Sequence, residues 1–356
     1  MPCSTTTPSA STVSDDGPDC ASHAGRTGVQ VTQLGFGGAT LGSLFESAGD
    51  DQAQATLEAA WAAGLRYYDT APWYGRGLSE LRFGRFLRSR PRGEFVLSTK
   101  VGRILRAPLK LDGFDRSPWV GGLPFEVVFD YSYTGIMRAY EDSLQRLSLP
   151  RVDLAIIHDL DPGYHGPEVR VGAYLGQLAT GGFRALADLR QAGLIRGIGV
   201  GINEDGMIPR FLELFDVDFF LVAGRYTLTE QGTLSTELAQ CVERGVGIVI
   251  GAVFNSGILA TGPVPGAKYN YLDPTPAQVE KVRRVQAVCE RHGVSMAAAA
   301  LQFPLGHPAV ASVIPGPIRP EHVARNVASF EQPIPAALWE ELKAEGLLAA
   351  DAPVPV

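Results

Sequence analysis

From residue 31 onward, short β-rich apolar runs alternate with segments whose apolar residues recur at helical spacing. Eight runs read as strands: 32–37, 66–69, 95–100, 152–158, 195–201, 217–223, 247–253 and 310–314. Between them, Ala53, Leu57, Ala60 and Trp61 form a helical face behind the capping candidates Asp50 and Asp51, and Gly64 stops it. Ile136, Tyr140, Leu144 and Leu147 repeat that pattern behind Ser132. Thr275, Pro276 and Gln278 spell a capping box with proline in the first turn, closed by Gly293. Each helix returns the chain to begin another parallel strand, and no linker interrupts the series. The pattern predicts an α/β fold, a single (β/α)8 TIM barrel over residues 29–356, preceded by a disordered tail over residues 1–28. That tail is rich in Ser, Thr, Pro and Gly and lacks the apolar core of a secretory signal.

Three connections are too long for simple turns: 101–131, 159–180 and 254–274. All follow strands, so a barrel gathers them at its C-terminal face as long, structureless βα loops of the functional kind. They carry Phe114, Trp119, Phe125, Phe129, Tyr164, His165 and Tyr174, which predicts an aromatic-walled pocket.

A net charge of -7 and a pI near 5.5, with no basic stripe, argue against nucleic acid as a partner. The longest apolar stretches are strand-sized, so no membrane span is expected. Cys3, Cys20, Cys241 and Cys289 are scattered without a CxxC pair or a His cluster. That suggests neither a disulfide framework nor a zinc site and fits a reducing, cytoplasmic setting, with no metal expected. The oligomeric state is left open.

Four polar residues stand at or just beyond successive strand ends: Asp69, Tyr74, Lys100 and His158. Buried at a barrel mouth, the Lys100 ammonium needs a carboxylate, and Asp69 is its natural partner. The charged Lys100 is expected to lower the pKa of Tyr74 and make it the proton carrier, while His158 orients the substrate oxygen.

On these residues the chain resembles the aldo-keto reductase family. The matching text is Gly35-Phe36-Gly37-Gly38, residues 69–75, Ser98-Thr99-Lys100, Val152-Asp153-Leu154 leading to His158, Gly197-Ile198-Gly199-Val200, and Ile314-Pro315-Gly316 with Asn326 downstream. The resemblance covers residues 30–347 and implies a (β/α)8 barrel with an Asp69, Tyr74, Lys100, His158 tetrad. It also implies a nicotinamide dinucleotide bound without a Rossmann fold. The implied cofactor residues are Gly38, Ala39, Asp69, Gly201, Asn203 (for the nicotinamide amide), Phe254, Asn255, Ser256, Gly257, Leu259, Pro315, Gly316, Arg319, His322, Arg325 and Asn326. NADPH-preferring relatives place a basic residue directly after Ile-Pro or two beyond the Gly; here Gly316 and Ile318 stand there, which favours NAD over NADP.

Within that family the chain is most similar to the sugar 1-dehydrogenase branch, the D-threo-aldose or L-fucose dehydrogenases, and to pyridoxal 4-dehydrogenases. The segments that carry this are residues 41–45, 224–228, 253–257 and 299–304. The resemblance implies oxidation of an aldose C1 hemiacetal to its lactone, with Trp73, Tyr74, Trp119, His158 and Asp159 facing the sugar. Alternatives are a pyridoxal 4-dehydrogenase, since pyridoxal is also a cyclic hemiacetal, an NADPH-dependent aldehyde or ketone reductase, and a cofactor-binding regulatory subunit.

Overall fold

A computed structural model describes residues 21–355. The expected tail lies outside the described residues up to position 20, as do Cys3 and Cys20. Twelve strands follow in order: β1 (Ala21–His23), β2 (Gln30–Thr32), β3 (Phe36–Gly37), β4 (Tyr67–Asp69), β5 (Val96–Val101), β6 (Arg103–Arg106), β7 (Glu126–Phe129), β8 (Leu154–His158), β9 (Gly197–Ile202), β10 (Phe219–Ala223), β11 (Gly247–Gly251) and β12 (Val310–Ile314). Eight of them, β3, β4, β5, β8, β9, β10, β11 and β12, form one parallel sheet in that order. A parallel bridge between Leu34 and Val313 closes it, with the Gly35 amide donating to the Val313 carbonyl at 2.9 Å. Strands covered on both faces need near-continuous apolar text, which β8, β10 and β11 have, and their side chains are almost all buried.

The segment 21–28, expected to be tail, is structured. β1 pairs antiparallel with β2, so the predicted run 32–37 is split: Thr32 belongs to this hairpin, and Phe36 and Gly37 form the first barrel strand. The hairpin floors the barrel, where Ala24, Val29 and Val31 join Tyr67, Leu154, Ile156, Phe219 and Val249 in one apolar cluster. Gly25 makes this possible: its φ is +56°, and a Cβ there would stand 2.0 Å from the Asp218 carbonyl oxygen.

Helices cover the outside at the predicted places. Asp50–Ala62 starts from Gly49, with Asp50 and Asp51 in the first turn rather than at the cap. Tyr133–Leu147 is capped by Ser132, whose hydroxyl accepts from the Gly135 amide, and Pro276–Arg291 carries the full Thr275/Gln278 capping box.

The long connections are not structureless. The first folds into the antiparallel pair β6–β7, with Arg103 opposite Phe129. The second holds the helices Pro162–His165 and Glu168–Gln177, and a π-helical turn carries it into Phe183–Gln191. The third contains the short helix Ile258–Thr261 between tight turns. Among the described residues no helix is long and apolar enough to cross a membrane.

Candidate active site

Asp69 ends β4, Lys100 is the penultimate residue of β5, His158 ends β8, and Tyr74 begins a 3-10 turn just past β4. The barrel brings all four to one mouth. Lys100 Nζ donates to Asp69 Oδ2 at 2.6 Å and to the Thr70 carbonyl at 2.9 Å, and both side chains are about 2% exposed. The other Asp69 oxygen accepts from the Ser98 hydroxyl at 2.7 Å. Gly38 lets β3 close on this corner: its amide donates to the Asp69 carbonyl, and a Cβ would meet that oxygen at 2.6 Å and the Phe83 ring at 2.5 Å.

The Lys100 ammonium lies over the Tyr74 ring, 4.5 Å from its centre. The expected lowering of the Tyr74 pKa does not result. Burial holds the phenol well above its ordinary range, and the Asp69 and Asp159 carboxylates push the same way. Tyr74 is therefore a protonated phenol. Burial, with the nearby Arg103 and Lys100 cations, drives His158 well below the usual imidazole range, so it is neutral.

Asp159 was expected to face a sugar, yet its oxygens are engaged by the protein. Oδ2 accepts from Arg103 Nη2 at 2.8 Å and lies 3.2 Å from His158 Nε2, while Oδ1 accepts from the Asn203 amide group at 2.8 Å. Burial raises its carboxyl to about 6, against the pull of Arg103. Trp119 returns from the first long connection to pack against Tyr74 (centroids 5.8 Å) and edge-on against Trp73 (5.4 Å). Trp73 in turn lies beside the Arg103 guanidinium, 5.4 Å from its ring centre.

An elongated cavity of about 780 Å³ runs from Asp69 and Tyr74 across the barrel mouth to the helix Pro320–Glu331. Of the expected cofactor residues, Gly38, Ala39, Asp69, Phe254, Ser256, Gly257, Gly316, His322, Arg325 and Asn326 line it. The others have different partners. Gly201 is a buried strand residue, and Asn203 binds Asp159 instead of an open space. Asn255 is wholly buried, accepting from Thr227 and Thr229 and donating to Asn270. Leu259 packs in the apolar core, the Pro315 carbonyl accepts from the Gly37 amide, and Arg319 is ion-paired with Glu46.

Sequence reasoning missed Arg103, Tyr271 and the rim residues Leu44, Phe45 and Glu46. Arg103 follows the third barrel strand by two residues, and asking which cation balances Asp159 would have found it. Tyr271 lines the cavity from a turn with φ +68° that carries no recognisable pattern.

The cavity suits a nicotinamide dinucleotide. Its volume falls in the range of ligand pockets and its walls are mostly apolar, with Asp69 and Tyr74 at one end, His322, Arg325 and Asn326 at the other, and Thr40, Ser256, Thr261 and Ser295 among the remaining polar residues.

The sequence profile described as Aldo/keto reductase family matches residues 33–345. The chain is 43% identical over 338 residues to the pyridoxal 4-dehydrogenase of Microbacterium luteolum, covering 91% of this chain and 97% of that one. It is 40% identical over 325 residues to the D-threo-aldose 1-dehydrogenase of a Pseudomonas species, covering 90% and 95%. In fold it matches the holo form of an aldo-keto reductase from Bacillus halodurans with a TM-score of 0.71, at 23% identity, over 93% of this chain and 97% of that one. The chain belongs to the aldo/keto reductase family and is an oxidoreductase that works with a nicotinamide dinucleotide on a small molecule.

Proposed function

We propose that the protein oxidises the C1 hemiacetal of an aldose, of the L-fucose or D-threo-aldose type, to its lactone, with Tyr74 as the proton carrier. The observation that carries this reading is the convergence of Asp69, Tyr74, Lys100 and His158 on one barrel mouth, where Asp69 and Tyr74 line one end of the dinucleotide-sized cavity. When bound, the dinucleotide supplies the acceptor for the hydride leaving C1. For oxidation Tyr74 first gives its own proton to solvent and then, as phenolate, takes the hydroxyl proton; the Lys100 ammonium over its ring is the charge that favours that phenolate. His158, neutral, hydrogen-bonds the reacting oxygen and orients it. Trp73 and Trp119, packed edge-on to each other beside Tyr74, would border the C–H side of a sugar ring.

Gly38, Ala39, Ser256, Gly257, Gly316 and Asn326 would hold the dinucleotide, with Asn326 and Arg325 at its far end. NAD is favoured over NADP. Arg319 is engaged by Glu46, and His322 is kept neutral by burial and by its Arg325 and Arg319 neighbours, so an added phosphate dianion meets few available cations. A cytoplasmic setting fits the free, buried Cys241 and Cys289.

Oxidation of pyridoxal to its lactone is a second reading, favoured by the 43% identity to a pyridoxal 4-dehydrogenase. Pyridoxal is a cyclic hemiacetal and asks for the same proton and hydride transfer. The test is to follow nicotinamide absorbance with NAD and with NADP over L-fucose, D-arabinose, L-galactose and pyridoxal. A sugar turned over best with NAD is expected; pyridoxal turned over best selects the second reading, and no oxidation of any hemiacetal contradicts both.

A further inference from the structure

Arg103 is one of the most buried cations of the chain, at 1% exposure, and it begins the β6–β7 hairpin, which the barrel itself does not need. Its guanidinium is caged by three rings, with the centres of Tyr164, Phe129 and Trp73 at 4.4, 5.3 and 5.4 Å. Its one anionic partner is Asp159, at 2.8 Å. A buried ion pair is a weak source of stability, because desolvation offsets most of the attraction. Such a pair placed against a reacting group has its effect on that group instead.

That group is His158. Its Nδ1 is buried without a hydrogen-bond partner, so a proton there would be an orphaned donor. Its Nε2 lies 3.2 Å from Asp159 Oδ2 with no hydrogen bond between them, so the carboxylate's charge favours a proton on Nε2 without engaging it. Asn203, on the other carboxylate oxygen, keeps the group from turning away.

We propose that Arg103 is a positioning residue for the reaction: caged by Trp73, Phe129 and Tyr164, it keeps Asp159 ionised and fixed beside His158, so that the imidazole carries its proton on Nε2 and can donate it to the substrate oxygen. The inference rests on the reading above that His158 meets the substrate. Asp159 is faced by Arg103 and Lys100 from the third-strand side and by His158 and Asp161 on its own segment. The phenols of Tyr164, Tyr74, Tyr271 and Tyr131 also face it. Of these, Arg103 is the strongest influence that holds the carboxylate charged; burial and Asp161 oppose it.

The experiment is a pH titration of the histidine ring nitrogens by NMR on the full ¹⁵N-labelled chain, with His158→Gln identifying the His158 signals among the six histidines. In the wild type, His158 is expected as the neutral Nε2–H form, with a step in its shift near pH 6 as Asp159 ionises. Arg103→Met should move that step up by about one unit or more, and Arg103→Lys should leave it near its wild-type place. In turnover, Arg103→Met should lower kcat/KM at pH 7 about tenfold, with recovery toward alkaline pH and dinucleotide affinity unchanged. If Arg103→Met does not fold, Asp159→Asn serves: the step should vanish and kcat fall. An Nδ1–H form in the wild type, a step unmoved in Arg103→Met, or a step persisting in Asp159→Asn overturns the proposal. Because the titration needs no turnover, its outcome is independent of whether any hemiacetal is oxidised.

Discussion

Lys100 has three N–H donors and no acceptor; two are directed to Asp69 and the Thr70 carbonyl, and the charge is left above the Tyr74 ring. The two carboxylates nearest the phenol, Asp69 and Asp159, therefore act on Tyr74 together with burial, and all three keep its proton on. This has a directional consequence. A protonated phenol is ready to give its proton to a carbonyl, whereas oxidation must first remove it. For the free enzyme, kcat/KM for oxidation should climb with pH through the alkaline range without a plateau before about pH 10, while kcat/KM for reduction stays level there. Rates measured in both directions from pH 7 to 10 check this, and an oxidation plateau near pH 7 to 8 would show a depressed phenol. Asp159 responds at the acid end with opposite signs for activity and stability. Its folded pKa of about 6 lies above the ordinary carboxyl value, so its contribution to stability is full below about pH 4 and is lost as pH rises through 6. Residue types at strand ends were readable because strand ends are marked locally. The state of the phenol was not, since the loop residues Trp119 and Tyr271 that crowd it arrive from distant segments.

Among the elements, the segment after β3 is held by one buried side chain. Arg82 donates to the carbonyls of Leu41 and Ala48, both at 2.6 Å, and to Asp50 at 2.9 Å, bending residues 41–48 so that Leu44, Phe45 and Glu46 form the rim of the cavity. Arg82→Met leaves those carbonyls unpaired. The expected loss is about 1–3 kcal/mol of stability in denaturant titration, with a raised dinucleotide Kd by fluorescence; unchanged affinity would mean that the rim does not touch the dinucleotide. Caps and strands were legible because Ser132, Thr275 and the apolar runs act on neighbours a few residues away. The β6–β7 hairpin was not, since Arg103 and Phe129 meet across a connection whose intervening text shows no alternation of period two. The helices at 162–177 were hidden in a segment broken by Pro162, Gly163, Gly166 and Pro167, which reads as loop although Pro162 sits in a first helical turn behind the Asp161 cap.

At the scale of the molecule, barrel closure does two things at once. The bridge from Leu34 to Val313 and the Gly37 amide on the Pro315 carbonyl seat β3 beside β12, which places Gly38 and Gly316 on the same wall of the cavity. The β1–β2 hairpin seals the opposite end with Ala24, Val29 and Val31, and the polar residues Asp69, Lys100 and His158 of the inner strands gather at the mouth. The eight-unit rhythm made the closed barrel readable, but the floor was not, because a stretch of Ser, Gly and Thr gives no hint that three apolar residues beyond it plug a barrel. On the proposed reading, the buried Asp69–Lys100 pair, the neutral His158 and the adjoining cavity serve proton transfer at Tyr74. The decisive measurement is the turnover of Tyr74→Phe on the best substrate of the hemiacetal panel, with dinucleotide affinity recorded on the same preparation. Turnover should fall by about 10²-fold or more with affinity kept. A folded Tyr74→Phe protein that turns over at the wild-type rate would contradict a proton carried by that phenol.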